Sequence, residues 1–154
     1  LFQRQVAQAV HIPVFISSLL QVPFVHRILP PGRSVGIITA NKAQLTSEHF
    51  ESVGITPDMP VVVYGMEDQD EFRTSILDEK GTLDSDLIEK EVCGVASRMK
   101  EENPNLGAVL LECSDLPPYA AAIQKVTDLP VFDFITMINH VHSAVCRTRY
   151  SGFM

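Results

Sequence analysis

Apolar positions along this chain alternate between short unbroken runs and longer stretches with helical spacing. The unbroken runs predict strands buried on both faces, at residues 12–16, 33–41, 60–66, 108–111 and 129–133. Between these strands, apolar residues spaced by three or four positions predict helices. The longest predicted helix is capped by Asp84 and runs to about Glu102. This repeated order, without a hairpin signal, predicts an α/β fold: a doubly wound parallel sheet of about five strands with flanking helices.

The strand at Ala108–Leu111 ends in a polar cluster, Glu112–Asp115, that carries the candidate chemistry of the chain. Two prolines follow and suit the first turn of a helix. Cys113 therefore lies between the end of a buried strand and the start of a helix. Ligands of open α/β sheets bind at such strand ends, and a helix N-terminus favours a thiolate. The neighbouring carboxylates oppose ionisation, so we expect a reactive but not permanently ionised Cys113. A small core residue is the alternative.

Hydroxyl and amide side chains end two further predicted strands: Ser17, Ser18, Thr39 and Asn41. A parallel sheet places such strand ends on one edge, so we expect these side chains to line one pocket with Cys113 and Ser114. The alternative roles are helix capping for the two serines and a polar turn that satisfies its own backbone for the other two.

The segment Glu112–Tyr119, with Leu129–Asp133 downstream, resembles the second cysteine motif of the aspartate/glutamate/hydantoin racemase superfamily. In that motif a strand ends in cysteine and threonine, followed by an acidic residue or histidine and then proline; here Ser114 replaces the threonine. The resemblance implies a flavodoxin-like, cofactor-independent racemase. In it, Cys113 would exchange the proton α to the carboxylate of a small amino acid or related acid. It also implies substrate contacts from the strand-end hydroxyls and from Asp115, with no metal or organic cofactor.

Racemisation needs a second proton-transferring group on the opposite face, which this superfamily normally supplies from a second cysteine. Only Cys113 is suitably placed, because Cys93 in mid-helix and Cys146 at a helix end are expected to be packing residues. Related decarboxylases keep one cysteine at this motif, so a decarboxylase or cis–trans isomerase is one alternative. A Cys-His hydrolase would need a histidine base, and none ends a strand after Cys113. A non-catalytic flavodoxin-like binding module is the remaining alternative.

In the first ten residues, apolar side chains recur at helical spacing. The predicted helix begins at once, and no residue before Leu1 could cap it. We therefore expect an upstream segment with the first catalytic cysteine to be missing, and this fragment alone to be inactive. On the superfamily pattern, residues 1–30 are a remnant of the first lobe and residues 31–128 form the second lobe, which carries Cys113. Residues 129–154 return as a strand and helix to the first lobe. A homodimer is a further expectation from the superfamily.

Composition narrows the range of partners. The length of 154 residues suits one domain, and the net charge of −7 argues against nucleic acid or an anionic membrane as partner. No apolar run approaches the roughly 18 residues that span a bilayer. The five histidines contain no i,i+4 pair, which argues against a histidine metal site. Three cysteines without framework spacing indicate reduced thiols in a cytoplasmic protein. The superfamily resemblance implies a small carboxylate or amino acid as the substrate.

Overall fold

The computed structural model describes residues 1–152, and a parallel β-sheet forms its centre. The strands are β1 (Ser34–Thr39), β2 (Val61–Gly65), β3 (Leu106–Leu111) and β4 (Val131–Phe132). Their order across the sheet is β2-β1-β3-β4, and every neighbouring pair is parallel. The chain therefore moves from β1 to one edge and then crosses back to β3, which puts the topological switch point between β1 and β3. The predicted α/β fold with a doubly wound parallel sheet is confirmed.

Helices cover both faces of this sheet. They are α1 (Gln3–Ala9), α2 (Val22–Ile28), α3 (Ser47–Ser52), α4 (Asp70–Phe72), α5 (Ser85–Glu102), α6 (Ala120–Thr127) and α7 (Phe134–Val145). Short 3₁₀ turns lie at Ser18–Gln21, Lys42–Gln44 and Pro117–Tyr119, and a π turn at Arg73–Leu77. None of the helices in residues 1–152 is long and apolar enough to cross a membrane.

The two central strands are buried on both sides because their alternating side chains enter two separate cores. Val35 and Ile37 of β1 pack with α2 in one core, whereas Ile38 packs with α5 and α6 in the other. All six residues of β1 are buried, which explains its unbroken apolar run. The sheet is thus a rigid layer between helices, and its strand ends are held in fixed positions.

The expected strand at residues 12–16 is wrong, and the sheet of the described residues has four strands instead of about five. The backbone of this segment is bonded to a side chain: Gln3 Nε2 donates to the carbonyl of Val14 at 2.8 Å, and Gln3 Oε1 accepts from the N–H of Ile16 at 3.0 Å. Pro13 has no N–H to offer a ladder. The segment is therefore an extended connection, and α1 before it has no buried residue.

A pair of glycines tests how tightly α5 packs on β1. A Cβ on Gly36 would lie 2.6 Å from Met99 Sδ, whereas a Cβ on Gly94, within α5, meets nothing within 4 Å. We expect Gly36→Ala to lower the free energy of unfolding by about 1–3 kcal/mol through overpacking. Gly94→Ala should raise it by up to about 1 kcal/mol through helix propensity. Urea unfolding followed by circular dichroism measures both, and equal effects of the two changes would contradict this packing.

Candidate active site

A cavity of about 420 Å³ opens at the carboxyl ends of β1 and β3, at the switch point of the sheet. Strand-end residues Ala40, Glu112, Cys113 and Ser114 line it, together with Ser17 and with His49 of α3. The N-terminal segment also borders it, through Leu1, Gln3 and Ile16. The backbone N–H of Glu112 donates to the carbonyl of Ile38 at 2.8 Å, which fixes the start of the cysteine segment beside β1.

Cys113 is the buried nucleophilic group of this cavity. Its residue is 9% exposed, and its Sγ lies 3.6 Å from Asp115 Oδ2. Burial raises the pKa of the Cys113 thiol from 9.0 to about 11; the backbone N–H of Asp115 lowers it, whereas the carboxylates of Asp115 and Glu112 raise it further. The thiol is therefore protonated at neutral pH. The expected opposition of the neighbouring carboxylates to ionisation is confirmed, and with burial it outweighs the stabilisation expected from the helix N-terminus.

The predicted serines have different positions. Ser17 lines the cavity, and its Oγ accepts from the N–H of Leu19 at 3.2 Å, so it also caps the 3₁₀ turn after it. Ser18 is buried, and its Oγ donates to the carbonyl of Leu111 at 2.9 Å, which leaves it outside the cavity lining. Ser114 is exposed and lines the cavity beside Cys113.

Thr39 and Asn41 lie at a smaller neighbouring cleft of about 180 Å³, which shares Ala40, His49 and Glu112 with the main cavity. Thr39 Oγ1 donates to Glu112 Oε2 at 2.8 Å, so its hydroxyl acts on the site through Glu112. Asn41 Oδ1 accepts from the N–H of Ala43 at 2.9 Å, so this side chain satisfies the backbone of its own turn. The predicted single pocket is thus divided in two.

Two residues that line the cavity, Glu112 and His49, are not among the binding residues expected from the sequence. Glu112 follows β3 directly, but its sequence position indicated only an effect on the neighbouring thiol. His49 was not a candidate because its helix lies far from Cys113 along the chain, and no local pattern indicated their meeting. The signal that was available is its position in α3, the first α-helix after the end of β1.

The other cysteines lie away from this cavity. Cys93 is half-buried in α5, and burial raises the pKa of its thiol. Cys146 is exposed at the end of α7, so the expectation that it is a packing residue is wrong; α7 has only one buried residue, Met137. Within residues 1–152, no group of three His, Cys, Asp or Glu side chains could hold a metal ion.

The sequence is similar over most of its length to proteins named dimethylsulfoniopropionate lyase, while no family model matches the chain. Identity is 32% over 145 residues to lyase 3 and 28% over 149 residues to lyase 5, both of Emiliania huxleyi (strain CCMP1516). It is 28% over 138 residues to the lyase of Durusdinium sp. clade D. These alignments cover 90%, 93% and 87% of this chain but 38%, 29% and 45% of the relatives. The chain thus spans less than half the length of these relatives.

Among solved structures, the fold is similar to that of allantoin racemase from Pseudomonas fluorescens. The TM-score is 0.56 and the identity 12%, and the match covers 88% of this chain and 60% of that protein. At this identity the likeness shows the fold alone, and it confirms the expected racemase-like α/β architecture.

The expected racemase function is wrong, because the relatives by sequence are named lyases and the racemase is similar only in fold. The comparisons support an enzyme, and the lyase names of the relatives agree with the decarboxylase alternative better than with a racemase. The isomerase type expected from the superfamily resemblance is not supported.

Alkylation with iodoacetamide tests the environment of the thiols. At pH 7.5 the exposed Cys146 should react first, and Cys113 should react slowly because its pKa is about 11. The rate at Cys113 should rise by about tenfold per pH unit up to pH 10, following its thiolate fraction. Peptide mapping by mass spectrometry reads each site separately. Faster modification of Cys113 than of Cys146 at pH 7.5 would show that the thiol is not held protonated.

The Asp115 carboxylate can be removed without disturbing the core, because its side chain is exposed. Asp115→Asn keeps the backbone N–H that stabilises the thiolate and removes a nearby negative charge. Alkylation of Cys113 at pH 8.5 should accelerate by about three- to tenfold. Glu101→Gln is the control, because Glu101 lies in the last turn of α5, toward the amino-terminal end of β3 and away from Cys113. It removes the same charge and should leave the alkylation rate of Cys113 unchanged. Equal rates in both variants would exclude Asp115 as a cause of the raised pKa.

Proposed function

We propose that this chain carries the proton-abstracting cysteine of a lyase that cleaves a small carboxylate, with dimethylsulfoniopropionate as the candidate substrate. The observation that carries the proposal is Cys113 in a strand-end cavity of a chain that is similar, over 87–93% of its length, to proteins named for that reaction. The cavity of about 420 Å³ is large enough for such a small molecule.

The chemistry depends on the structure of this substrate, a propionate that carries a dimethylsulfonium group on its β-carbon. The Cys113 thiolate takes a proton from the α-carbon, and the electrons of that C–H bond form the new carbon–carbon double bond. The bond between the β-carbon and sulfur breaks, and its electron pair stays on sulfur. The products are acrylate and dimethyl sulfide, and the proton on Cys113 returns to solvent.

This elimination needs one base, whereas racemisation needs two on opposite faces. A single suitably placed cysteine, which counted against a racemase, is sufficient for a lyase. Cys113 therefore has a complete role in the proposed reaction without a contribution from Cys93 or Cys146.

Charge in the cavity also suits a substrate with a cationic end. Glu112 lines the cavity, and its carboxylate would attract the sulfonium group. The same positive charge, near the Cys113 sulfur, would favour the thiolate and offset the effect of the two carboxylates. The hydroxyls of Ser17 and Ser114 are candidates for additional hydrogen bonds to the substrate, and Thr39 holds Glu112 in place.

Substitution of the cysteine tests the proposal. Cys113→Ser should reduce release of dimethyl sulfide from dimethylsulfoniopropionate by at least about 10²-fold, because a hydroxyl is a much weaker base at this position. Cys146→Ser, the same change at an exposed site, should keep full activity. Gas chromatography of the headspace measures the product, and circular dichroism confirms that both variants fold. Activity retained in Cys113→Ser would rule out this base. Because this chain spans less than half the length of its relatives, the assay uses the full-length protein, and no release of dimethyl sulfide by that protein would rule out this substrate.

A further inference from the structure

His49 occupies the third position of α3, where its ring takes part in capping the helix. Nδ1 accepts from the backbone N–H of Thr46 at 3.2 Å and lies 2.9 Å from Thr46 Oγ1. A backbone N–H can only donate, so Nδ1 must present its lone pair there. In the neutral ring the proton is therefore on Nε2, and the helix cap selects this tautomer.

His49 borders both the main cavity and the neighbouring cleft. The hydrogen bonds among the described residues occupy Nδ1 and leave Nε2 without a protein partner. His49 thus offers one N–H donor of fixed tautomer to a molecule in these cavities. Because the ring is held by its own helix, the donor needs little ordering when a ligand binds.

Glu112 lines the same two spaces and supplies the opposite polarity. Its carboxylate is held by the hydroxyl of Thr39 at 2.8 Å. A ligand with one anionic and one cationic end can therefore satisfy both groups at once, the anion at the His49 donor and the cation at the Glu112 carboxylate. A substrate with a single negative charge would be repelled by Glu112.

We infer that His49 binds the carboxylate of the substrate through Nε2–H, and that His49 and Glu112 together select a small zwitterion. This inference rests on the proposed function, because it assigns the two ends of the proposed substrate to two named side chains. It gives His49 a direct contact with the substrate, while Cys113 alone transfers the proton.

Two substitutions separate substrate binding from helix capping. His49→Glu preserves the cap, since a glutamate at this position accepts from the same backbone N–H, but it replaces the donor by a negative charge. His49→Gln keeps both an acceptor for the cap and an N–H donor. We expect His49→Glu to raise KM for dimethylsulfoniopropionate by about ten- to hundredfold, with a smaller effect on kcat. His49→Gln should stay within about threefold of the unsubstituted protein, which is the rescue expected of a donor role.

Urea unfolding of both variants provides the structural control. If His49 acts only in the cap, the two variants should share one KM, whatever their stability. Unchanged KM in His49→Glu, in a protein that releases dimethyl sulfide, would overturn the assignment of His49 and leave the proposed lyase standing.

A measurement without turnover distinguishes the failure of the two proposals. In protein labelled with ¹⁵N-histidine, the His49 signals, assigned by their loss in His49→Gln, should report a proton on Nε2. Titration with β-alanine, a small zwitterion with one carboxylate, should shift the Nε2 signal saturably, and β-alaninamide, which keeps the cation and lacks the carboxylate, should not. A β-alanine response, together with no release of dimethyl sulfide by the full-length protein, would sink the lyase and keep the carboxylate site. A proton on Nδ1, or no response to β-alanine, would overturn the role of His49.

Discussion

The site depends on one backbone hydrogen bond, from the N–H of Glu112 to the carbonyl of Ile38, which joins the ends of the two central strands. Both strands are buried on both faces, so neither end can shift without disturbing two cores. The next residue along the chain is Cys113, and its place at the cavity is set by this pairing. The hydroxyl of Ser18 then satisfies the carbonyl of Leu111, the last residue of β3.

The surroundings of Cys113 oppose the ionisation that acid–base chemistry would require of it. Burial dominates, and two carboxylates add to it, so the resting thiol is a weak acid. In the proposed reaction, the raised pKa of Cys113 would make its ionisation depend on the substrate, because a bound molecule with a positive charge favours the thiolate. The base would then form where its substrate is present, and the empty site would keep a less reactive thiol.

The likeness in fold to a racemase and the likeness in sequence to lyases are compatible at the level of chemistry. Racemisation and β-elimination can both begin with removal of a proton from a carbon next to a carbonyl group. The substrate and the number of bases then decide the product: a leaving group on the β-carbon permits elimination, whereas inversion needs a second proton donor. Fold alone therefore could not distinguish the two reactions, and the sequence relatives favoured cleavage.

Apart from the strand expected at residues 12–16, the sequence by itself determined the strand–helix order, the bounds of α5 and the position of Cys113 at a strand end. These features result from local periodicity and capping, which neighbouring residues decide. Only the tertiary structure decided that residues 12–16 bond to a side chain, that Cys146 is exposed, and that His49 borders the cavity with Cys113. The raised pKa of Cys113 belongs with these, since burial and nearby charge depend on elements brought together only by folding.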